Sequence, residues 1–170
     1  MSVRPVLRMG DARLLQKAEE VTDFASATLS VLLRDMHDTM QAHSGAGLAA
    51  PQIGVGLRVV IFGGARNSRY PDRDEVPYTV LINPHIEVLD GSLKSDREGC
   101  LSLPGLRGEV PRFSAIRYRG YGIDGRLLNR VADGFHARVV QHEVDHLDGV
   151  LYPQRMPDMS RFGFEDELTL

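Results

Sequence analysis

The chain has a single cysteine, Cys100, among 170 residues, so no internal disulfide can staple its fold. It has no apolar run near the roughly 20 residues that a membrane-crossing helix requires. Its first residues, Met1-Ser2-Val3-Arg4-Pro5-Val6-Leu7-Arg8, lack the apolar stretch of a secretory signal. The expected compartment is a reducing cytoplasm, or an organellar matrix in a eukaryote, with no membrane partner. Positive charge is not in excess: 20 lysines and arginines stand against 23 aspartates and glutamates, a net charge of −3. The footprint of a dedicated nucleic-acid binder is missing, and direct nucleic-acid recognition is not expected. No repeat, low-complexity tract or inter-domain linker interrupts the chain. A 42% hydrophobic content suffices for one core, so residues 1–170 are expected to form a single domain.

Apolar residues from Phe24 to Gln41 (Ala25, Leu29, Leu32, Leu33, Met36, Met40) recur at helical spacing, with Thr22 and Asp23 as candidate caps. Gly45, Gly47 and Pro51 then predict loop or irregular extended backbone through Gln52. Short strands are expected at 58–62, 78–83 and 86–89. Between the first two, residues 63–77 read as a long exposed loop, either a rim over a cleft or a plain insertion. Ala115 to Tyr121 and Arg126 to Val131 should pair through a tight turn at Asp124-Gly125. Asp133 is placed to cap a second helix ending at Gly149, apolar on more than one side and therefore buried. Helix, strands, helix without βαβ alternation predicts an α+β fold with antiparallel sheets packed around a central helix.

That second helix carries His142-Glu143-Val144-Asp145-His146. Histidines at i and i+4 share one helical face and can clamp one metal ion, while Glu143 lies close enough to take a proton from water activated by it. A polar helix face with satisfied histidines is the plainer alternative, but two imidazoles and a carboxylate on a buried helix are costly unless paired or coordinated. No third histidine follows at metzincin spacing, which leaves Cys100 as the candidate third ligand; its alternative is a small buried hydrophobe. A thiolate with two imidazoles suits iron(II), zinc, cobalt or nickel. Gly45 to Ala50 also matches the weak G-x-G-x-x-A pattern of a dinucleotide-binding turn, but it follows a helix and runs into Pro51-Gln52 instead of opening a helix after a strand. Close backbone approach to a substrate, or a structural turn, suits it better.

Three strings in order, Gly45-Ala46-Gly47-Leu48-Ala49-Ala50-Pro51-Gln52, Glu98-Gly99-Cys100-Leu101-Ser102 and Gln141 to Gly149, together resemble the peptide deformylase family. Ile82-Asn83-Pro84 and Asp124-Gly125 extend the resemblance over nearly the whole chain. It implies metal-dependent hydrolysis of the N-formyl group from formylmethionyl nascent polypeptides, releasing formate. It further implies Cys100, His142 and His146 as ligands of one divalent ion, iron(II) natively, with zinc, nickel or cobalt able to replace it. Glu143 would be the acid/base catalyst, and the Gln52 amide and the Leu101 backbone N–H would donate to the oxyanion.

Gly45, Gly47 and Gly99 would admit the substrate backbone. Methionine needs an apolar pocket, for which Phe135 and Val139, before His142 on a compatible face, are candidates beside plain core packing. Arg138, four residues before His142, would border that pocket or bind substrate carbonyls, unless it is a solvated surface arginine. Arg107 resembles a family position near the site. Asp145 and Glu98 are candidate acceptors for holding the ligand imidazoles in one orientation, with ordinary salt bridges as the alternative. A nascent-chain substrate places the work near the ribosome, with transient association, and the tail from Arg155 to Leu170 would dock on the domain or mediate association. Two rival readings stand: a zincin-like endopeptidase with a longer cleft and another third ligand, and a binding domain whose metal only fixes the fold.

Overall fold

The computed structural model describes residues 2–64 and 72–168. The first helix, α1 (Ala27–Ala42), starts where Ser26 accepts the Leu29 N–H through its side chain. The cap therefore falls later than the expected Thr22 and Asp23, and Asp23 instead accepts the Ala25 N–H one turn earlier. The glycine-rich segment that follows is more regular than expected. It forms β1 (Gly47–Ala49) and a 3-10 turn over Ala50–Ile53, with Pro51 in the first turn where its missing N–H costs nothing.

β2 (Val59–Phe62) pairs antiparallel with β1 and with the next strand. Its side chains alternate between two clusters. Val60 and Phe62 join the cluster around the second helix, and Val59 and Ile61 join the cluster under α1. The sheet thus lies between the two helices and is buried on both faces at this point.

The expected strands at 78–83 and 86–89 are one strand, β3 (Thr79–Cys100), which turns through Leu101-Ser102 into β4 (Leu103–Tyr121). The gap between the two expected strands is a bulge within it, with a register shift between Ile82 and His85. Asn83 adopts φ +51, which asparagine tolerates, and its side-chain amide bonds both backbone groups of Val21. The stretch from Asp90 to Ser95 is exposed on both sides, so it carries no hydrophobic alternation, and only the cross-strand ladder marks it as strand. β5 (Leu127–Asp133) pairs with β4 across the expected turn, where Gly125 takes φ +70. β6 (Phe162–Phe164) pairs with β4 at Leu106 to Gly108, so the tail docks on the domain, with residues 169–170 lying outside the described residues.

β5 runs straight into α2 (Gly134–Leu147); Asp133 holds the N-cap position but its side chain makes no capping bond. Ten of the helix's 14 residues are buried. Ala137, Val140 and Leu147 are wholly enclosed between Val60, Phe62, Leu81, Ile116 and Tyr118. Each such valine or leucine contributes about 1.5–3 kcal/mol of burial. Gly149, at φ +71, ends the helix region as expected, because a Cβ there would lie 2.5 Å from the Leu15 carbonyl oxygen. The architecture is the expected α+β arrangement, with an antiparallel sheet wrapped around the helix that carries the histidines. Among the described residues no helix is long and apolar enough to cross a membrane. Of the loop at 63–77, residues 65–71 lie outside the described residues. Arg73 beyond them pairs with Asp96 at 2.5 Å and sits 5.9 Å from the Phe135 ring.

Candidate metal centre

Three donors converge where α2 meets the turn between β3 and β4. Cys100 ends β3, and its Sγ accepts the Ser102 backbone N–H across the two-residue turn. His142 and His146 project from one face of α2. One atom from each of the three residues can be chosen so that all lie within 4.8 Å of one another, and Cys100 Sγ is 3.3 Å from His146 Nε2. A tetrahedral ion with bonds of about 2.0–2.3 Å to nitrogen and sulfur sets edges of roughly 3.3–3.6 Å, so the trio could hold one with small adjustments.

Electrostatics favour the same use. Burial opposes charge on Cys100, yet His146 and His142 hold its thiol well below the ordinary range. Burial likewise opposes charge on His142, which hydrogen bonds to Cys100 and Glu98 nevertheless raise well above its usual value. A thiolate beside an imidazolium is ready to exchange protons for a divalent cation. His142 Nδ1 is bonded to Glu98 Oε2 at 2.8 Å, leaving Nε2 for the cavity. Glu98 is therefore the imidazole-orienting acceptor that was expected. Asp145 is not: it reaches no histidine but takes Arg112 at 2.5 Å and Arg155 at 2.7 Å, because its side chain leaves the helix away from the donor trio.

Glu143 is 4% exposed, and its Oε2 has no hydrogen-bond partner among the described residues. Burial raises its carboxyl to about 7; His142 and His146 act in the opposite sense, and Cys100 and Glu98 add repulsion. A buried carboxyl that titrates near neutrality is suited to proton transfer. Gly47 is required beside it, because a Cβ there would fall 2.3 Å from Glu143 Oε1. Gln52 is buried with its carbonyl oxygen accepting the Ala49 N–H at 2.9 Å, which fixes the amide's orientation. Its Nε2 reaches Cys100 Sγ at 3.3 Å and Ser102 Oγ at 3.1 Å. The N-terminal segment braces both loops from outside: Leu7 N donates to the Gln52 carbonyl and Met9 N to the Ser102 carbonyl, each at 2.8 Å.

A single cavity brings these groups together. Gly45, Gly47, Gln52, Gly99, Cys100 and Leu101 line it together with Phe135, Arg138, Val139, His142 and Glu143 of α2. Of the residues proposed from sequence, His146, Arg107 and Asp145 are not in the lining of this space, and the His146 Nε2 atom lies 3.3 Å from Cys100 Sγ. Gly99 leaves room for Arg107, whose guanidinium would meet a Cβ at 1.6 Å and pairs with Glu165 of the tail at 2.9 Å. Arg138 is not a solvated surface arginine; it is buried and bonded to Glu98 and to two backbone carbonyls. Sequence reasoning missed Arg112 and Ser102. Ser102 was within reach as the neighbour of a motif cysteine, whereas Arg112 carries no local signal that distinguishes it from a surface arginine.

The chain is similar to known proteins over nearly its whole length. The sequence profile of the polypeptide deformylase family matches residues 3–162. Peptide deformylase 2 of Ralstonia nicotianae is 59% identical over 166 residues, covering 98% of this chain and 94% of that protein. Peptide deformylase 1 of Nitrosomonas europaea is 55% identical over the same length, covering 98% and 94%. Among solved structures, the class I type b peptide deformylase of Acinetobacter baumannii with Met-Ala-Ser bound superposes with a TM-score of 0.87 at 39% identity, covering 92% of this chain and all of that one. The chain belongs to the peptide deformylase family, metal-dependent hydrolases that remove the N-formyl group from nascent polypeptides.

Proposed function

We propose that residues 1–170 act as one catalytic domain in which Cys100, His142 and His146 hold a divalent ion, iron(II) in the native protein, and Glu143 is the acid/base catalyst. The observation that carries this reading is the buried Glu143 carboxylate, with one oxygen unpartnered, in the cavity that also holds Cys100 and His142. A bound divalent ion supplies Lewis acidity, polarising a carbonyl and sharpening the acidity of water.

The chain's own residues carry the remaining steps. Glu143 takes a proton from the attacking water as the new C–O bond forms at the formyl carbon, and delivers it to the amine nitrogen as the C–N bond breaks. Water and the formamide thereby become formate and a free amino terminus. The Gln52 Nε2–H and the Leu101 backbone N–H donate to the oxyanion that develops on the former carbonyl oxygen, each contributing about 3 kcal/mol. The Ala49 N–H on the Gln52 side-chain oxygen and the Nε2–H bond to Ser102 Oγ hold the amide in place for this role, and the second Nε2–H leaves Cys100 Sγ to reach the oxyanion. Gly45, Gly47 and Gly99 admit the peptide backbone, and Phe135 and Val139 receive the methionine side chain. The reaction takes place in the cytoplasm, in transient association with the ribosome.

Formate release from formyl-Met-Ala-Ser by anaerobically purified protein tests the assignment, alongside Glu143→Ala loaded with the same metal. Rapid release by the wild type, and a large loss in the variant with metal retained, is the expected result. No release by metal-replete wild type would return the endopeptidase and scaffold readings to consideration.

A further inference from the structure

Glu98 is saturated. Its Oε1 accepts from Arg112 Nε at 2.9 Å and from Arg138 Nη1 at 2.7 Å, and its Oε2 bonds Arg112 Nη2 at 2.9 Å and His142 Nδ1 at 2.8 Å. Four partners fill a carboxylate's acceptor sites. Arg112 alone, as a bidentate fork, would hold the carboxylate plane. Arg138 therefore adds something else.

Arg138 and His142 stand one turn apart on the same face of α2 and grip opposite oxygens of the same carboxylate. The remaining bonds of Arg138 tie that turn to both arms of the hairpin, at the Val110 carbonyl of β4 (2.8 Å) and the Lys94 carbonyl of β3 (2.6 Å). Its side chain also lines the cavity beside Phe135 and Val139. An arginine only 6% exposed in the lining of a cavity is expensive to bury, and a hydrophobe would fill the space at lower cost.

We propose that Arg138 is a positioning residue of the metal centre. It completes the grip on Glu98 and, through Glu98, sets the orientation of the His142 imidazole. By holding Glu98 in place it preserves the bond from His142 Nδ1–H to Glu98, which fixes the tautomer and ring orientation and keeps Nε2 aimed at the ion. The proposal rests on the metal-ligand assignment above.

Anaerobic cobalt(II) titration of the wild type, Arg138→Met, Arg138→Lys, Glu98→Gln and the Glu98→Gln/Arg138→Met double variant tests it. The readouts are the thiolate charge-transfer band, the d–d bands, affinity by chelator competition, and kcat and KM for formyl-Met-Ala-Ser. The expected result for Arg138→Met is shifted d–d bands, about tenfold weaker metal binding and a lower kcat at unchanged KM. Lysine should recover part of each effect, and Arg138→Met should add little once Glu98 is glutamine. If Arg138→Met does not fold, Arg138→Lys carries the test, since one ammonium cannot serve Glu98 and both carbonyls in the arginine's fork geometry.

A raised KM with unchanged cobalt spectrum and affinity would make Arg138 a substrate contact and overturn the proposal. A lowered Tm with unchanged spectrum and affinity in the folded protein would make it a brace only, with the same consequence, as would full additivity with Glu98→Gln. A wild type that binds no cobalt through a thiolate would remove the metal assignment and the proposal together. Normal wild-type binding with unaffected variants would remove the proposal alone.

Discussion

Replacing Glu143 by glutamine deletes one titration from the centre of the protein while preserving its shape. Burial lifts this carboxyl from an ordinary 4.5 to about 7, against the opposing pull of His142 and His146 and with added repulsion from Cys100 and Glu98. Between these two pH values the native metal-free protein keeps a proton on Glu143 that the unfolded chain has released. The associated stability is fully present below pH 4.5 and is lost as the pH rises to about 7. At 1.36 kcal/mol per pH unit, that loss is about 3 kcal/mol. Glutamine does not titrate, so the unfolding free energy of Glu143→Gln minus that of wild type should grow by this amount across the window and then level off. Taking the difference cancels, to first order, the titrations of Cys100 and His142 that both proteins share. Urea unfolding of chelator-stripped protein at closely spaced pH values measures it. Parallel stability curves between pH 4.5 and 7 would refute the reasoning, because they would mean that Glu143 is solvated like an exposed carboxylate.

Other perturbations have equally definite outcomes. Gly47→Ala places a Cβ 2.3 Å from Glu143 Oε1 and must displace the carboxylate by about an ångström; kcat should fall on the order of 100-fold with the metal content unchanged, as checked by steady-state kinetics and elemental analysis. Glu98→Ala strands the Arg112 and Arg138 guanidiniums in the interior and should cost about 3–5 kcal/mol at neutral pH by urea unfolding. Although burial opposes its charge, Arg112 and His142 hold the Glu98 carboxyl well below the usual carboxylate range. Its stabilisation is therefore present above about pH 4.5 and fades as pH falls, so acidification should bring the two proteins together. Iron-loaded protein should lose activity in air faster than nickel-loaded protein through oxidation at the Cys100 thiolate, and equal decay rates would count against that ligation.

The donors were legible because helical geometry converts a spacing of four into a shared face, and because Cys100 had no competitor of its own kind. The β3–β4 hairpin was not, for a physical reason. Its turn is Leu101-Ser102, without the glycine or asparagine that marks a two-residue turn, and its exposed middle from Asp90 to Ser95 buries too little to alternate. The arms of the hairpin bring Glu98, Val110 and Arg112 to the helix; Glu98 was expected beside the imidazoles, but the grip of Arg112 and Arg138 on it was hidden with the hairpin. Asp145 was a candidate acceptor for the imidazoles or a salt-bridge partner, and it is the second, paired with Arg112 and Arg155. Gly47 and Gly99 were read as openings for a substrate, and each also accommodates a protein side chain, Glu143 in one case and Arg107 in the other.

The segment running from Leu7 to Met9 contributes no residue to the cavity lining, yet its Leu7 and Met9 amides are bonded to the backbone carbonyls of Gln52 and Ser102. Those two protons are external gauges of the centre. Deuterium uptake at Leu7 should follow the integrity of the glutamine loop, and uptake at Met9 that of the cysteine turn, with neither probe entering the cavity or requiring turnover. Protection rising at both on metal loading would mean that the ion rigidifies the two loops as one unit; a rise at Met9 alone would mean that the glutamine loop is already held in place before the ion arrives.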